Sequence, residues 1–213
     1  MSPRRPAVLR DGGGDQTLRE HLIATAARLV AERGGAGLTV RDIAREAKVA
    51  DGVLYNHFSA KEELLAHGLR AHVHAVMADL GEPPQPGTGT LAENLHTYIT
   101  RGLDVLTRIM PAFAGMISQP KVLVHFHTEG PPMHEHALPR ALAHYLRAEQ
   151  ELGRVAPTAI PDAAAAMIIG ACHELVLPRV FQGSPMTDFT VPSGFVDDLV
   201  ATVMHGIAPT RSS

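Results

Sequence analysis

The sequence predicts an all-α protein, with a three-helix helix-turn-helix head at the N-terminus and a larger helical body behind it. Apolar residues recur every three to four positions in successive stretches, as the buried stripe of a helix requires. Gly- and Pro-rich breaks separate these stretches, and no run alternates in the manner of a half-buried strand. No internal repeat is present. The reading divides the chain into a flexible basic arm (1–16), a head (17–61) and a body (62–213).

Charge follows the same division. Residues 1–61 hold ten Lys/Arg against seven Asp/Glu, a net of +3, and residues 62–213 hold nine against fifteen, a net of −6. A basic head on an acidic body is what a polyanion-binding module beside a non-binding one presents. The single cysteine, Cys172, excludes an intrachain disulfide framework and a Cys-rich zinc site. The opening residues lack an apolar stretch of signal-peptide length. The longest apolar run, Ala163 to Cys172, is about half of the ~20 residues a membrane span needs. A cytoplasmic protein is expected.

The first helix is expected from Thr17 to Arg33, on the stripe Leu18, Leu22, Ile23, Ala26, Leu29 and Val30, and Gly34, Gly35 and Gly37 stop it. Thr39 opens a second helix, with Asp42 three residues on in a capping-box arrangement. Val40, Ile43, Ala44 and Ala47 form its inner face, leaving Arg41, Arg45 and Lys48 outside. A tight break at Lys48–Ala50 precedes a short third helix, Asp51 to Phe58, with Leu54 and Phe58 inward and Gly52, Tyr55, Asn56 and His57 outward. Ser59 is expected to cap a fourth helix, whose stripe of Leu64, Leu65, Leu69, Val73, Val76 and Leu80 carries it out of the head. Beyond the break at Glu82–Thr90, helical patterns run over Leu91–Gln119, Leu138–Leu152, Asp162–Val180 and Ser193–Ile207, with Pro120–Pro132 ambiguous.

A core of Leu22, Ala26, Ile43, Ala44, Leu54 and Phe58 is too small for much except holding one short helix proud of the surface. A B-DNA major groove, about 12 Å wide, admits such a helix and shows it a distinct pattern for each base pair. The segment GLTVRDIAREAKVADGVLYNHFSAKEELL (Gly37–Leu65) resembles the amino-terminal domain of TetR/AcrR-type regulators. The resemblance rests on Thr39, the Ile43-Ala44 pair, Gly52, Leu54-Tyr55, His57-Phe58, and Lys61 followed by Glu62 and Leu64. It implies backbone contacts to duplex operator DNA from Thr39, Tyr55, His57 and Lys61. Ala50, Asp51, Gly52 and Asn56 are implied to lie at or near base edges. Arg41 and Lys48 complete the expected DNA-binding set. Gly52 has a physical reason of its own, since a side chain there would hold the helix off the groove. Asp51 is an acceptor for cytosine N4 or, the reading its N-cap preference favours, a cap for the third helix. Arg4, Arg5 and Arg10 either enter a minor groove or trail in solvent as a tail.

In the body, AAAAMIIGAC is apolar on every side, and a helix apolar all round is buried all round. A homodimer through helices near 162–180 and 193–207 is therefore expected, and a near-palindromic operator with it. The resemblance further implies repression relieved by a small effector held among the middle helices. Met77, Leu103, Leu106, Met110, Phe113, Met116, Phe126, Tyr145 and His173 are its candidate lining, and the abundance of Met with little charge points to an apolar or aromatic ligand. The segment HFHTEGPPMHEH brings His125, His127, His134 and His136 together with Glu129 and Glu135. It reads as an exposed His-rich loop, with metal ligation the lesser alternative. No cofactor and no resident metal are expected. An enzyme is not expected either: there is no G-x-S-x-G elbow, Walker A loop or dinucleotide-binding glycine pattern. Cys172, His173 and Glu174 are consecutive and diverge on a helix.

Overall fold

The structure is a computed structural model that describes residues 16–34, 37–129, 138–183 and 186–207. The basic arm with Arg4, Arg5 and Arg10, and also His134, Glu135 and His136, lie outside the described residues. Among those described, all regular structure is helical: α1 (Gln16–Arg33), α2 (Val40–Ala47), α3 (Asp51–His57), α4 (Lys61–Asp79), α5 (Leu91–Met116), α6 (Pro120–Thr128), α7 (Leu138–Glu151), α8 (Pro161–Phe181) and α9 (Phe195–His205), with a short 3₁₀ turn at Met186–Asp188. The ambiguous stretch after Gln119 is a helix opened by Pro120, whose missing N–H costs nothing at a first helical position.

The chain divides into two compact units, and the division differs from the head and body read from the sequence. Unit one is Met1–Asp79 with Arg108–Pro131, and unit two is Leu80–Thr107 with Pro132–Ser213. The reason is α4. Its stripe of Leu64, Leu65, Leu69, Val73 and Val76 is buried in unit one, where α4 packs along α1 and against α6.

Unit one is built on Leu22, Ala26, Leu29 and Val30 of α1, with Leu38, Ile43, Ala44, Ala47, Leu54 and Phe58 closing over them, all essentially inaccessible. Each such aliphatic or aromatic side chain contributes about 1.5–3 kcal/mol on removal from water. Thr39 caps α2 as the sequence predicts: its hydroxyl accepts from the Asp42 amide at 3.1 Å, and the Thr39 amide donates back to the Asp42 carboxylate at 3.0 Å. These bonds hold the Asp42 carboxyl below its usual range, the Thr39 hydroxyl being the larger cause. Arg70, buried on α4, lies 5.2 Å from the Phe126 ring and donates to the Phe126 carbonyl, one of the unpaired carbonyls in the last turn of α6.

The break between α2 and α3 turns on Lys48, the only described non-glycine residue with positive φ (58°, ψ 40°). Its amide closes the end of α2 on the carbonyls of Ala44 and Arg45. A left-handed residue with a Cβ costs roughly 1–2 kcal/mol, which glycine avoids. Lys48→Gly should raise the free energy of unfolding by about 1 kcal/mol, read as a higher urea midpoint at unchanged slope. An unchanged or lower midpoint would contradict the conformation.

Unit two packs α7 on α8 through Leu142, Ala143 and Leu146 on one side and Ala165, Ile168, Ile169, Cys172 and Val176 on the other. Burial pushes the Cys172 thiol up to about 11, which leaves it inert. Glu149 is fully buried: Tyr145 donates to its Oε1 at 2.6 Å and the Gly87 amide to the same oxygen at 3.3 Å. Arg154 Nε lies 3.2 Å from the other oxygen, close enough for an ion pair but not aligned as a hydrogen bond. This network pins the Pro- and Gly-rich break after α4 onto α7.

By length and hydropathy α8 would pass for a membrane span. It is buried along one stripe only. The opposite face, Ala163, Ala166, Met167, Gly170 and Phe181, stands in the open, with Met167 69% and Phe181 66% exposed. Within one chain the apolar run is therefore not covered on every side, and the open face is where the sequence reading called on a partner chain. On α9 Val200 alone is buried, while Ala201, Thr202, Met204 and His205 are exposed.

Candidate nucleic-acid interface

The third helix is short because nothing extends it. Ala50 opens it from an extended backbone with no side-chain cap, and Phe58 closes it by turning extended and entering the core. Leu54 and Phe58 face inward, so the remaining positions face out. Tyr55 is 61% exposed, Asn56 and Gly52 are exposed, and His57 is half-buried. A Cβ built on Gly52 meets nothing within 4 Å, so no packing inside the chain calls for glycine there.

Three contacts from α1 and α4 hold this helix from behind, a fourth close approach sets the spacing of α1 and α4, and none of the four was evident from sequence. The Arg19 guanidinium lies 4.9 Å from the Phe58 ring. The His21 ring reaches the carbonyl of Ala47, in the turn before α3, at 3.3 Å. Ser59 does not cap α4 by accepting a helix amide; its own amide and hydroxyl both donate to Glu63 Oε2 at 2.7 Å. Gly68 of α4 meets Ala26 of α1 so closely that an added Cβ would lie 2.8 Å from the Ala26 Cβ. The first three pair residues through space or at an offset that capping-box spacing does not describe. A helical glycine carries no periodic signal at all.

The ten expected DNA-contacting residues separate into two groups, eight exposed and two, His57 and Lys61, half-buried. Thr39, Arg41, Lys48, Ala50, Asp51, Gly52, Tyr55 and Asn56 are exposed around α2, α3 and the turn between them. Asp51 corrects the favoured reading, because the N-cap is Ala50 and Asp51 is the first helical residue. Its carboxylate pairs with Arg41 Nε at 3.5 Å, both side chains being well exposed. The pair masks a charge that would repel phosphate, and an exposed pair of this kind contributes little enough (about 0–1 kcal/mol) that Arg41 exchanges partners easily. Lys61 is half-buried, its Nζ donating to Gln119 Oε1 at 3.1 Å.

The expected effector lining is divided between the units. In unit one, Met116 and Phe126 are buried, Met77, Met110 and Phe113 are half-buried, and the Phe113 and Phe126 rings meet edge-on at 5.2 Å. In unit two, Leu103 and Leu106 are buried and His173 is half-buried. Tyr145 belongs to structure instead: its ring lies 4.7 Å from that of Tyr98 and its hydroxyl is held by Glu149. Burial, then that hydrogen bond, raises its pKa. A groove of about 760 Å³ in unit two has a different lining, among it His96, Asp197, Val200, Met204 and His205, and includes none of the expected residues. The two histidines read as part of an exposed loop, His125 and His127, lie on α6, and helical spacing directs them apart.

A short outward helix on a three-helix support, preceded by a capped helix and a tight turn, defines a helix-turn-helix DNA-binding head. Residues 22–67 match the family described as "Bacterial regulatory proteins, tetR family". The HTH-type transcriptional repressor KstR2 of Rhodococcus jostii is 32% identical over 119 residues, covering 56% of this chain and 58% of the relative. The HTH-type transcriptional repressor NemR of Escherichia coli is 31% identical over 86 residues, covering 40% and 43%. The chain thus spans about half the length of these curated relatives. Over nearly its whole length it shares the fold of a fatty acid degradation regulator, FadR, from Bacillus halodurans (TM-score 0.63, 18% identity, 92% and 98% coverage). It shares the fold of FadR from Bacillus subtilis, solved in complex with stearoyl-CoA, at TM-score 0.56, 20% identity and 89% and 99% coverage. Residues 22–67 thus match the tetR-family domain, and the chain as a whole shares the fold of these regulators.

Proposed function

We propose that this protein is a cytoplasmic transcriptional repressor, not an enzyme. It binds a near-palindromic operator as a homodimer and leaves it when a small, apolar effector binds. The exposed, unfilled face of α3 carries the reading: Tyr55 projects from it, and Gly52 lacks a side chain where none of the protein's own packing forbids one. Thr39, Arg41, Lys48 and His57 are the residues assigned to phosphates, and Asn56 with the start of α3 to base edges. Lys61 is assigned to phosphate at the expense of its Gln119 bond. The descriptions of KstR2 and NemR as repressors support the direction of regulation. The acyl-CoA bound by a FadR of the same fold supports an apolar effector. Half-buried Met77, Met110 and Phe113 supply the adaptable apolar surface such a ligand needs.

The test is selection from a random duplex pool, followed by a salt series on the selected site. A palindromic consensus is expected, with log K falling against log salt by about 0.9 for each phosphate contacted. Failure to retain any duplex at low ionic strength would dismiss the repressor reading.

The dimer is assigned to the open apolar face of α8 together with α9. Small residues at Ala163, Ala166 and Gly170 allow close approach of a second helix, and a Cβ on Gly170 meets nothing in its own chain. Met167→Asp would place a carboxylate in that contact. The variant should run at half the apparent mass of the parent in sedimentation while keeping its helical circular dichroism; an unchanged mass would move the interface elsewhere.

A further inference from the structure

Unit one contains a group of side chains that the DNA and effector readings leave unused. Glu63 and His67 stand one turn apart on α4, and Glu129 follows the last turn of α6; their donor atoms all lie within 4.8 Å of one another. His67 Nε2 is 3.9 Å from Glu63 Oε1 and 3.0 Å from Nη2 of Arg19, which itself lies 3.9 Å from the same Glu63 oxygen. A guanidinium only donates, so His67 Nε2 is the acceptor and the ring proton sits on Nδ1. That is the neutral tautomer of a metal-binding imidazole, its lone pair directed at a seated positive charge.

We propose that Glu63, His67 and Glu129 form a binding site for a divalent transition-metal ion of the zinc class, which takes the place now held by the Arg19 guanidinium. The donor set is one imidazole and two carboxylates, which together neutralise a dipositive ion. The outer contacts that orient ligands are also present. The Ser59 amide and hydroxyl hold Glu63 Oε2, leaving Oε1 to face the site. His125 Nδ1 meets Glu129 Oε1 at 2.5 Å. Such supporting bonds fix a ligand's orientation and raise its affinity. Burial, and then Arg19, lower the His67 pKa, so the ring is neutral and available near pH 7. Burial works to raise the Glu63 pKa, but the Ser59 bonds and neighbouring charges outweigh it and keep the carboxylate ionised.

Donors around a tetrahedral zinc ion stand about 3.3–3.6 Å apart, given bonds of about 2.0–2.2 Å. The site therefore closes by roughly an ångström on loading, drawing the end of α6 toward the start of α4. Arg19, displaced from His67, gives up its present place over Phe58, the residue that ends the recognition helix. Metal occupancy would thus bear on the support of that helix. The binding proposal itself does not rest on the repressor reading.

The experiment is titration of the full chain with Co(II), followed by optical absorption, and with Zn(II), followed by calorimetry. One saturating site per chain is expected, with visible Co(II) bands of four- or five-coordination. Glu129→Gln should abolish the bands, and His125→Ala should weaken binding by about 10–100-fold through the lost orienting contact. Arg19→Gln should tighten binding, because the competing cation is gone. His74→Ala, an exposed histidine elsewhere on α4, should change nothing. Binding insensitive to Glu129→Gln, or weakened by Arg19→Gln, overturns the site and assigns the metal to other histidines. The absence of saturable Co(II) binding overturns it as well.

Discussion

Gly52→Leu should destroy high-affinity operator binding while leaving the fold as stable as before or slightly more so. Glycine inside a helix costs about 0.5–1 kcal/mol relative to alanine, through the backbone freedom it surrenders. A chain that keeps glycine at an exposed helical position with nothing within 4 Å of its absent Cβ gains nothing from it internally. The gain must come from outside, where the backbone of α3 approaches another molecule. Intruding atoms at a close-fitted surface cost about 1–3 kcal/mol, occasionally more. Gly52→Ala should therefore weaken the operator complex by roughly tenfold and Gly52→Leu by a hundredfold or more. Both Kd and the urea midpoint should be measured on the same preparations. Retained affinity with leucine at 52 would remove α3 from the groove and with it the assignment of Asn56 to base edges. A lower midpoint would show that the helix is not open as described.

The head was largely legible in the sequence because its signals are local. Thr39 with Asp42 announces a capped helix three residues apart, and the inward pair Leu54 and Phe58 leaves Tyr55 no place except outside. Where the reading failed, the deciding contact was distant in sequence. Asp51 has the composition of a cap, but its partner is Arg41, on another helix. Nor does the sequence show that Gln119 is brought beside Lys61. Glu129 stood out only beside the histidines near it in sequence, whereas Glu63 and His67 come near it only through the packing of α4 against α6. The apolar run in α8 leaves one face open in the single chain; periodicity gives the amount of apolar surface but not what covers it. The unit boundary was misplaced for a related reason. An amphipathic α4 states that it packs, and only the tertiary contacts state that it packs along α1.

That α1–α4 contact is where the second large effect is expected. Gly68→Val should destabilise the whole chain and impair DNA binding together, the opposite of the separation expected at Gly52. Gly68 is buried, and a Cβ there would stand 2.8 Å from Ala26 Cβ, 3.0 Å from Ala26 C and 3.1 Å from Ala27 N. Two of these three atoms are backbone of a neighbouring helix, which no rotamer change moves aside. The helices must separate, and they cannot do so alone, since Leu22, Leu29, Leu64, Leu65 and Leu69 are packed tightly in the same unit. Overpacking of this kind costs about 1–3 kcal/mol, partly offset in Gly68→Ala by a helix-propensity gain of up to about 1 kcal/mol. For a chain of this size that net loss lowers Tm by a few degrees for alanine, at roughly 2–4 °C per kcal/mol, and further for valine. Ala26→Gly in the Gly68→Ala background should restore only part of the loss, because it removes the Cβ contact and leaves the two backbone contacts. Full restoration would mean the side-chain clash was the whole effect, and no loss in either single variant would mean that α1 and α4 do not approach this closely. Because α4 continues from the recognition helix through Phe58 and Ser59, a shift at Gly68 is transmitted to α3. Operator affinity should then fall even at temperatures where the variant remains folded.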